Sequence, residues 1–208
     1  MRVIRTSGQL LGPLIRAVDW TPVAAVATVS VGLALATTPG SPVEPDNAAI
    51  TLRMAGVLLG AAAGFALVDT ASATTMVVPV PRWLRQWLRL LLVAAPIAAV
   101  WAGTFLILSV RLAEGAELAA PGLATEATVC LLTGLACTAF VVRQRPERLA
   151  AVIGAAVLLG LAVITLPWFE AVWPYPGSPR WDEVHQVWLA VLPVPLVGLF
   201  LAHREVPR

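Results

Sequence analysis

Apolar residues in this chain neither alternate nor recur along one narrow helical stripe. They run together in six long stretches, separated by short connections that carry Pro, Gly and charge. The stretches cover residues 21–38, 50–69, 88–110, 123–142, 149–169 and 185–202, each between 18 and 23 residues long. An α-helix rises 1.5 Å per residue and the hydrocarbon core of a bilayer is about 30 Å thick, so about 20 apolar residues make one crossing. Continuous runs predict helices; a membrane barrel would alternate in pieces of about ten residues. A helix also satisfies its backbone within one segment, as lipid demands. The connections fit this division. Pro39, Gly40 and Pro42 close the first run, Pro121 and Gly122 open the fourth, and Pro174, Pro176, Gly177 and Pro179 fill the connection before the sixth. These residues resist helix or supply turn geometry.

Ahead of the first run, residues 1–20 read as a separate element. Val3, Leu10, Leu11, Leu14, Ile15 and Val18 fall near one helical side, with Arg5, Gln9 and Arg16 elsewhere and Gly12-Pro13 between them. This predicts an amphipathic helix lying in the membrane interface, followed by a bend at Trp20-Thr21-Pro22. The expected architecture is therefore all-α: an N-terminal interfacial helix over residues 1–20 and a six-helix transmembrane domain over residues 21–208. A plain anchoring segment is the alternative for the entry. Ala34-Leu35-Ala36 also resembles a signal-peptidase site, but the twenty residues before the apolar run are long for a signal n-region.

Composition and charge agree. Hydrophobic residues make up 59% of the 208 and charged residues 12%, with a mean hydropathy of +0.84. That charge fraction is about half of what a soluble domain carries. A net charge of +2 gives no case for nucleic acid. All fourteen basic residues are Arg. With both termini in the cytoplasm, eleven Arg lie on that side and three, Arg53, Arg111 and Arg180, on the other. Seven acids then lie outside: Glu44, Asp46, Glu114, Glu117, Glu170, Asp182 and Glu183. The positive-inside rule thus predicts six spans with both termini cytoplasmic, in the inner (plasma) membrane. Trp20, Trp83 and Trp87 at one boundary and Trp168, Trp173 and Trp181 at the other match interfacial aromatic belts.

Candidate chemistry inside the spans is sparse. Gly56, Gly60 and Gly64 repeat a G-x-x-x-G spacing on one face of the second span, a seam for close backbone approach within the bundle or in a dimer. Pro193 and Pro195 predict a kink or break in the sixth span, and Pro96 a milder one in the third. Arg53 and Glu126 read as first-turn residues that snorkel to the surface. His185, beside Asp182 and Glu183, reads as a solvated interfacial His rather than a metal ligand. Cys130 and Cys137, seven apart on one helix, are too far apart to bridge and read as small packing residues. No acid sits at a span centre, which weighs against proton-driven transport. No convergent acid, His or Ser cluster predicts catalysis, so no catalytic residue, metal or resident cofactor is assigned.

The connection between the second and third spans is the richest in chemistry. Asp69 ends a helix, where an acid opposes the dipole and calls for a partner. Arg82, Arg85 and Arg89, spaced to share one helical face, are the candidates. Ser72, Thr74 and Thr75 can cap a short helix before Pro79. A plain positive-inside loop is the bland alternative. With its acid, its Ser/Thr-rich stretch, Pro79-x-Pro81 and its Trp- and Arg-rich entry to the third span, the segment resembles the small actinobacterial permease subunits of type-2 class ABC exporters. The layout of entry helix, six spans and a longer outer loop before the last is similar over nearly the whole chain. The resemblance implies a first cytoplasmic loop that docks on a separate ATP-binding subunit, and a second permease subunit, the same or paralogous. Asp69, Ser72, Thr74, Thr75, Arg82, Arg85 and Arg89 would be the docking residues. ATP and Mg would be held by the partner, since this chain has no G-x-x-x-x-G-K-[ST] loop. The expectation is a permease without enzymatic activity of its own; the rival is a non-transporting structural or anchoring subunit.

Overall fold

A computed structural model describes residues 12, 15–68, 82–145 and 147–204. Among these the chain is helical. The elements are α1 (Thr21–Ala36), α2 (Pro45–Ala63), α3 (Arg82–Ser109), α4 (Ala120–Gln144), α5 (Arg148–Ile164), the short α6 (Phe169–Val172), α7 (Trp181–Val191) and α8 (Pro193–His203). A 3-10 turn, Gly64–Leu67, extends α2, and another, Leu166–Trp168, joins α5 to α6. Five segments are long and apolar enough to cross a membrane: Pro45–Leu67, Gln86–Ser109, Ala120–Gln144, Arg148–Val172 and Trp181–His203. The sixth apolar helix, α1, is shorter at 16 residues. Its C-terminal turn stops at Ala36, and Thr37 is already extended.

Helix ends differ from the apolar boundaries because helicity and hydropathy answer to different forces. Proline at a first helical position starts α2 at Pro45, five residues before its apolar run. Likewise the described part of α3, from Arg82, already precedes its apolar run by six residues. The sixth run is one apolar stretch but two helices. The two meet at Leu192, whose N–H still bonds to the Trp188 carbonyl at 3.2 Å; the missing rungs follow it, because Pro193 and Pro195 offer no N–H to the turn behind them. Pro96 is carried inside α3.

The segments alternate in direction, and α4 lies at the centre, packed on α2, α5, α7 and α8. The most enclosed span is α2, flanked by α1, α3, α4 and α5. Its parallel contact with α4 is made through glycine. A Cβ on Gly56 would come within 3.2 Å of Ala127, and one on Gly60 within 2.8 Å of the Cys130 carbonyl oxygen. Gly64 stands against Thr138, as does Gly154 of α5, and Gly134 of α4 against the Gly60 backbone. All three glycines of the α2 repeat are thus spent on packing within the chain, where contact supplies the association that lipid cannot drive.

The two ends of the bundle differ. One gathers Arg16, Arg89, Arg143, Arg145, Arg148 and Arg204; there Asp19 pairs with Arg148. Trp87 meets His203 edge-on at 5.3 Å, and Arg143 donates to the Leu201 carbonyl at 3.0 Å. The other end carries Glu44, Asp46, Glu114, Glu117, Glu170, Asp182 and Glu183. There the Arg111 guanidinium donates to the carbonyls of Ala34, Leu35, Thr37 and Thr38, closing the C-terminal turn of α1 with a positive charge. Val43 and Leu112 form a short parallel bridge beside it.

Candidate functional site

The polar centre of the molecule lies at the acidic end, within the bundle. Arg53 is two turns into α2, Glu126 six residues into α4 and His185 four residues into α7. Their exposures are 8%, 1% and 7%. Arg53 Nε donates to Glu126 Oε2 at 2.7 Å and Nη2 to Oε1 at 2.9 Å, a bidentate pair. Nη1 donates to the Trp173 carbonyl at 2.9 Å and Nη2 also to the Pro174 carbonyl at 2.6 Å. Four of the five guanidinium hydrogens are therefore placed. The rings of Phe169, Trp173 and Trp181 surround the guanidinium carbon at 5.8, 5.8 and 5.9 Å, within cation–π range.

His185 completes the group. Its Nδ1 lies 2.7 Å from the Trp181 carbonyl oxygen, which can only accept, so Nδ1 carries a proton. Its Nε2 lies 3.0 Å from Glu126 Oε1, and a second proton must sit in that contact. Gly122 makes this approach possible: a Cβ there would stand 2.6 Å from Trp181 and 2.8 Å from His185. The aromatic loop is tied down further. Trp173 meets Trp188 at a tilt with ring centroids 4.8 Å apart and donates Nε1 to Thr165, while Trp188 donates to the Val172 carbonyl. The cluster thus joins α2, α4 and α7 to the connection that follows α5. A charge in this setting is tolerated only because it is paired and hydrogen-bonded. Its chemistry is that of a clamp that also holds a proton.

Two sequence expectations are corrected here. Arg53 and Glu126 do not snorkel. Because α2 begins at Pro45 and α4 at Ala120, both lie deeper than a first turn, and mutual pairing replaces contact with water. His185 is not solvated but buried on Glu126. One signal could have found the cluster: an Arg, a Glu and a His, near the same end of three different spans, are each the complement of another.

The other candidate residues lie elsewhere. Asp69, Ser72, Thr74 and Thr75 fall outside the described residues, as do residues 1–11, 13 and 14 of the expected interfacial helix. Arg82 and Arg85 lie in the first turn of α3, and Arg89, two turns in, is 2% exposed at the arginine-rich end. Trp83 in the same turns is 45% exposed. Gly56, Gly60 and Gly64 line the α2–α4 contact, and Pro193 and Pro195 open α8. Cys130 and Cys137 are free thiols. Trp101 donates to the Leu52 carbonyl and stacks on Phe105, so it packs between α2 and α3.

Among the described residues, five long apolar helices, one shorter apolar helix, and charge gathered at the bundle ends and in the interior clamp define a helical, multi-pass membrane protein. No family model, curated protein or solved structure matches the chain.

Proposed function

We propose that this chain is the membrane-spanning permease subunit of an ATP-driven ABC exporter. It would cross the inner (plasma) membrane six times with both termini and the arginine-rich end in the cytoplasm. The observation that carries the reading is the start of α3. Residues 82–87 of this helix, whose sequence carries Arg82, Trp83 and Arg85, precede its apolar run and directly follow residues 69–81. Such a turn is suited to receive an ATP-binding subunit, which would hold ATP and Mg. The eleven-to-three division of Arg supports the sidedness. The glycine seam fills the space between α2 and α4, so a transport path would form against a second permease subunit.

Purification from native membranes in a mild detergent tests this. An ATPase carrying a phosphate-binding loop is expected to co-purify, and Arg82→Glu with Arg85→Glu is expected to release it while the permease still purifies as a folded protein. Co-purification with no ATPase, or an ATPase that stays bound to the double variant, overturns the docking role.

A second reading, a non-transporting structural or anchoring subunit, is favoured by one observation. The clamp at Arg53, Glu126 and His185 seals the acidic end with all three side chains buried. A co-purified complex with its own complete transport or electron-transfer path would select that reading.

A further inference from the structure

Beside the clamp, α2 and the end of α5 line a crevice of about 350 Å³. Met54 and Val57 of α2 form one wall, Leu159 and Val163 of α5 the other, and Leu166 and Trp173 close the end. The lining is almost entirely apolar, and on α2 it runs from Ile50 to Leu58, about 12 Å along the helix axis. The rim faces outward: Met54 is 48% exposed, Leu159 39%, Val163 63% and Leu166 56%. In a membrane-spanning bundle these side chains meet lipid, not water. A groove of this shape cannot stay empty without its walls losing their dispersion contacts, and an apolar wall gives water no hydrogen-bond partners. The surrounding medium that can fill it is hydrocarbon.

We infer that the α2–α5 crevice is a binding site for one lipid acyl chain in the leaflet at the acidic end of the bundle. The chain lies lengthwise between the helices with its inner side against Trp173 and the ring-enclosed face of Arg53. The paired guanidinium presents little polar surface there, so recognition is of the hydrocarbon and not of a headgroup charge. The chain also packs against the two residues whose backbone or side chain holds the clamp closed, Trp173 through its carbonyl and Arg53 through its charge. The site does not depend on the proposed ATPase partner.

The test uses the full chain in nanodiscs of phosphatidylcholine that carries a diazirine in one acyl chain, followed by peptide mapping after photolysis. Label is expected to concentrate on residues 50–58 and 159–166, above the level on the exposed α8 face at Val194 and Val197. Met54→Trp with Val163→Trp fills the crevice and is expected to bring that label down to the α8 level, with α8 labelling unchanged as the control for an intact fold. If the double variant disturbs α8 labelling, Val163→Phe alone serves, with a partial loss expected. Equal labelling of both faces in the parent protein, meaning annular contact only, or undiminished crevice labelling in a folded filled variant, overturns the inference.

Discussion

Replacing Glu126 with Ala leaves the Arg53 guanidinium buried with two carbonyls and no counter-charge, and leaves His185 Nε2 without its acceptor. Removing one partner of a buried, hydrogen-bonded pair costs about 3–5 kcal/mol, far more than the pair contributes over an apolar replacement. At 1.4 kcal/mol per factor of ten, this raises the unfolded population by about 100- to 4,000-fold. Arg53→Ala removes the same pair from the other side and also releases the Trp173 and Pro174 carbonyls. Because both substitutions destroy one interaction, the double variant is expected to cost little more than either single, a coupling of about 3 kcal/mol. Cys130 provides the assay. It is a free thiol, 6% exposed in the middle of α4, and becomes reactive only when the bundle opens. In a Cys137→Ser background, the temperature at which Cys130 reacts with a thiol-specific fluorophore reports stability in detergent. A Glu126→Ala protein whose midpoint equals the parent's, or single effects that simply add in the double variant, would refute the claim that these groups act as one buried clamp.

Three further outcomes follow from local geometry. Gly60→Ala places a methyl 2.8 Å from the Cys130 carbonyl, so it is expected to destabilise by about 1–3 kcal/mol, whereas Gly160→Ala, with open space around it, is neutral or stabilising; the same thiol assay ranks them. Arg111→Ala removes the donors that close the C-terminal turn of α1, and hydrogen exchange at that turn is expected to rise while the rest of α1 is unchanged. Hydrogen bonds to Thr21, and then the Arg148 contact, hold the Asp19 carboxyl below the usual carboxylate range. A lowered folded-state pKa contributes stability that is fully present above the unfolded value, about pH 4, and is lost as pH falls through the folded value. The midpoint difference between the parent and Asp19→Asn is therefore expected near neutral pH and to vanish in acid.

Much of the fold is legible in the apolar runs, and the reason is the solvent. Lipid forces about 20 apolar residues and a self-satisfied backbone on every crossing, and five of the six runs coincide with a helical segment long enough to cross, while the first holds a helix of 16 residues. Helix ends are less legible. Pro45 starts a helix outside the hydrocarbon run, where hydropathy is silent but N1 proline is not. The break at Leu192 was readable because a proline lacks the same N–H in any fold.

The glycine repeat of α2 was readable as a seam, but its partner was not. Spacing says that a backbone can approach; only the packed bundle decided that α4, with Cys130 and Thr138, occupies the face of Gly60 and Gly64. The clamp shows the same division. Sequence fixes that an Arg, a Glu and a His occur near one end of their spans, each of which could face water. Arg53 and Glu126 are 73 residues apart, and Glu126 and His185 are 59. Whether such groups reach water or one another depends on which helices touch, and no local pattern carries that information. Once α2, α4 and α7 close around them, burial makes an unpaired charge too costly and pairing the only arrangement left.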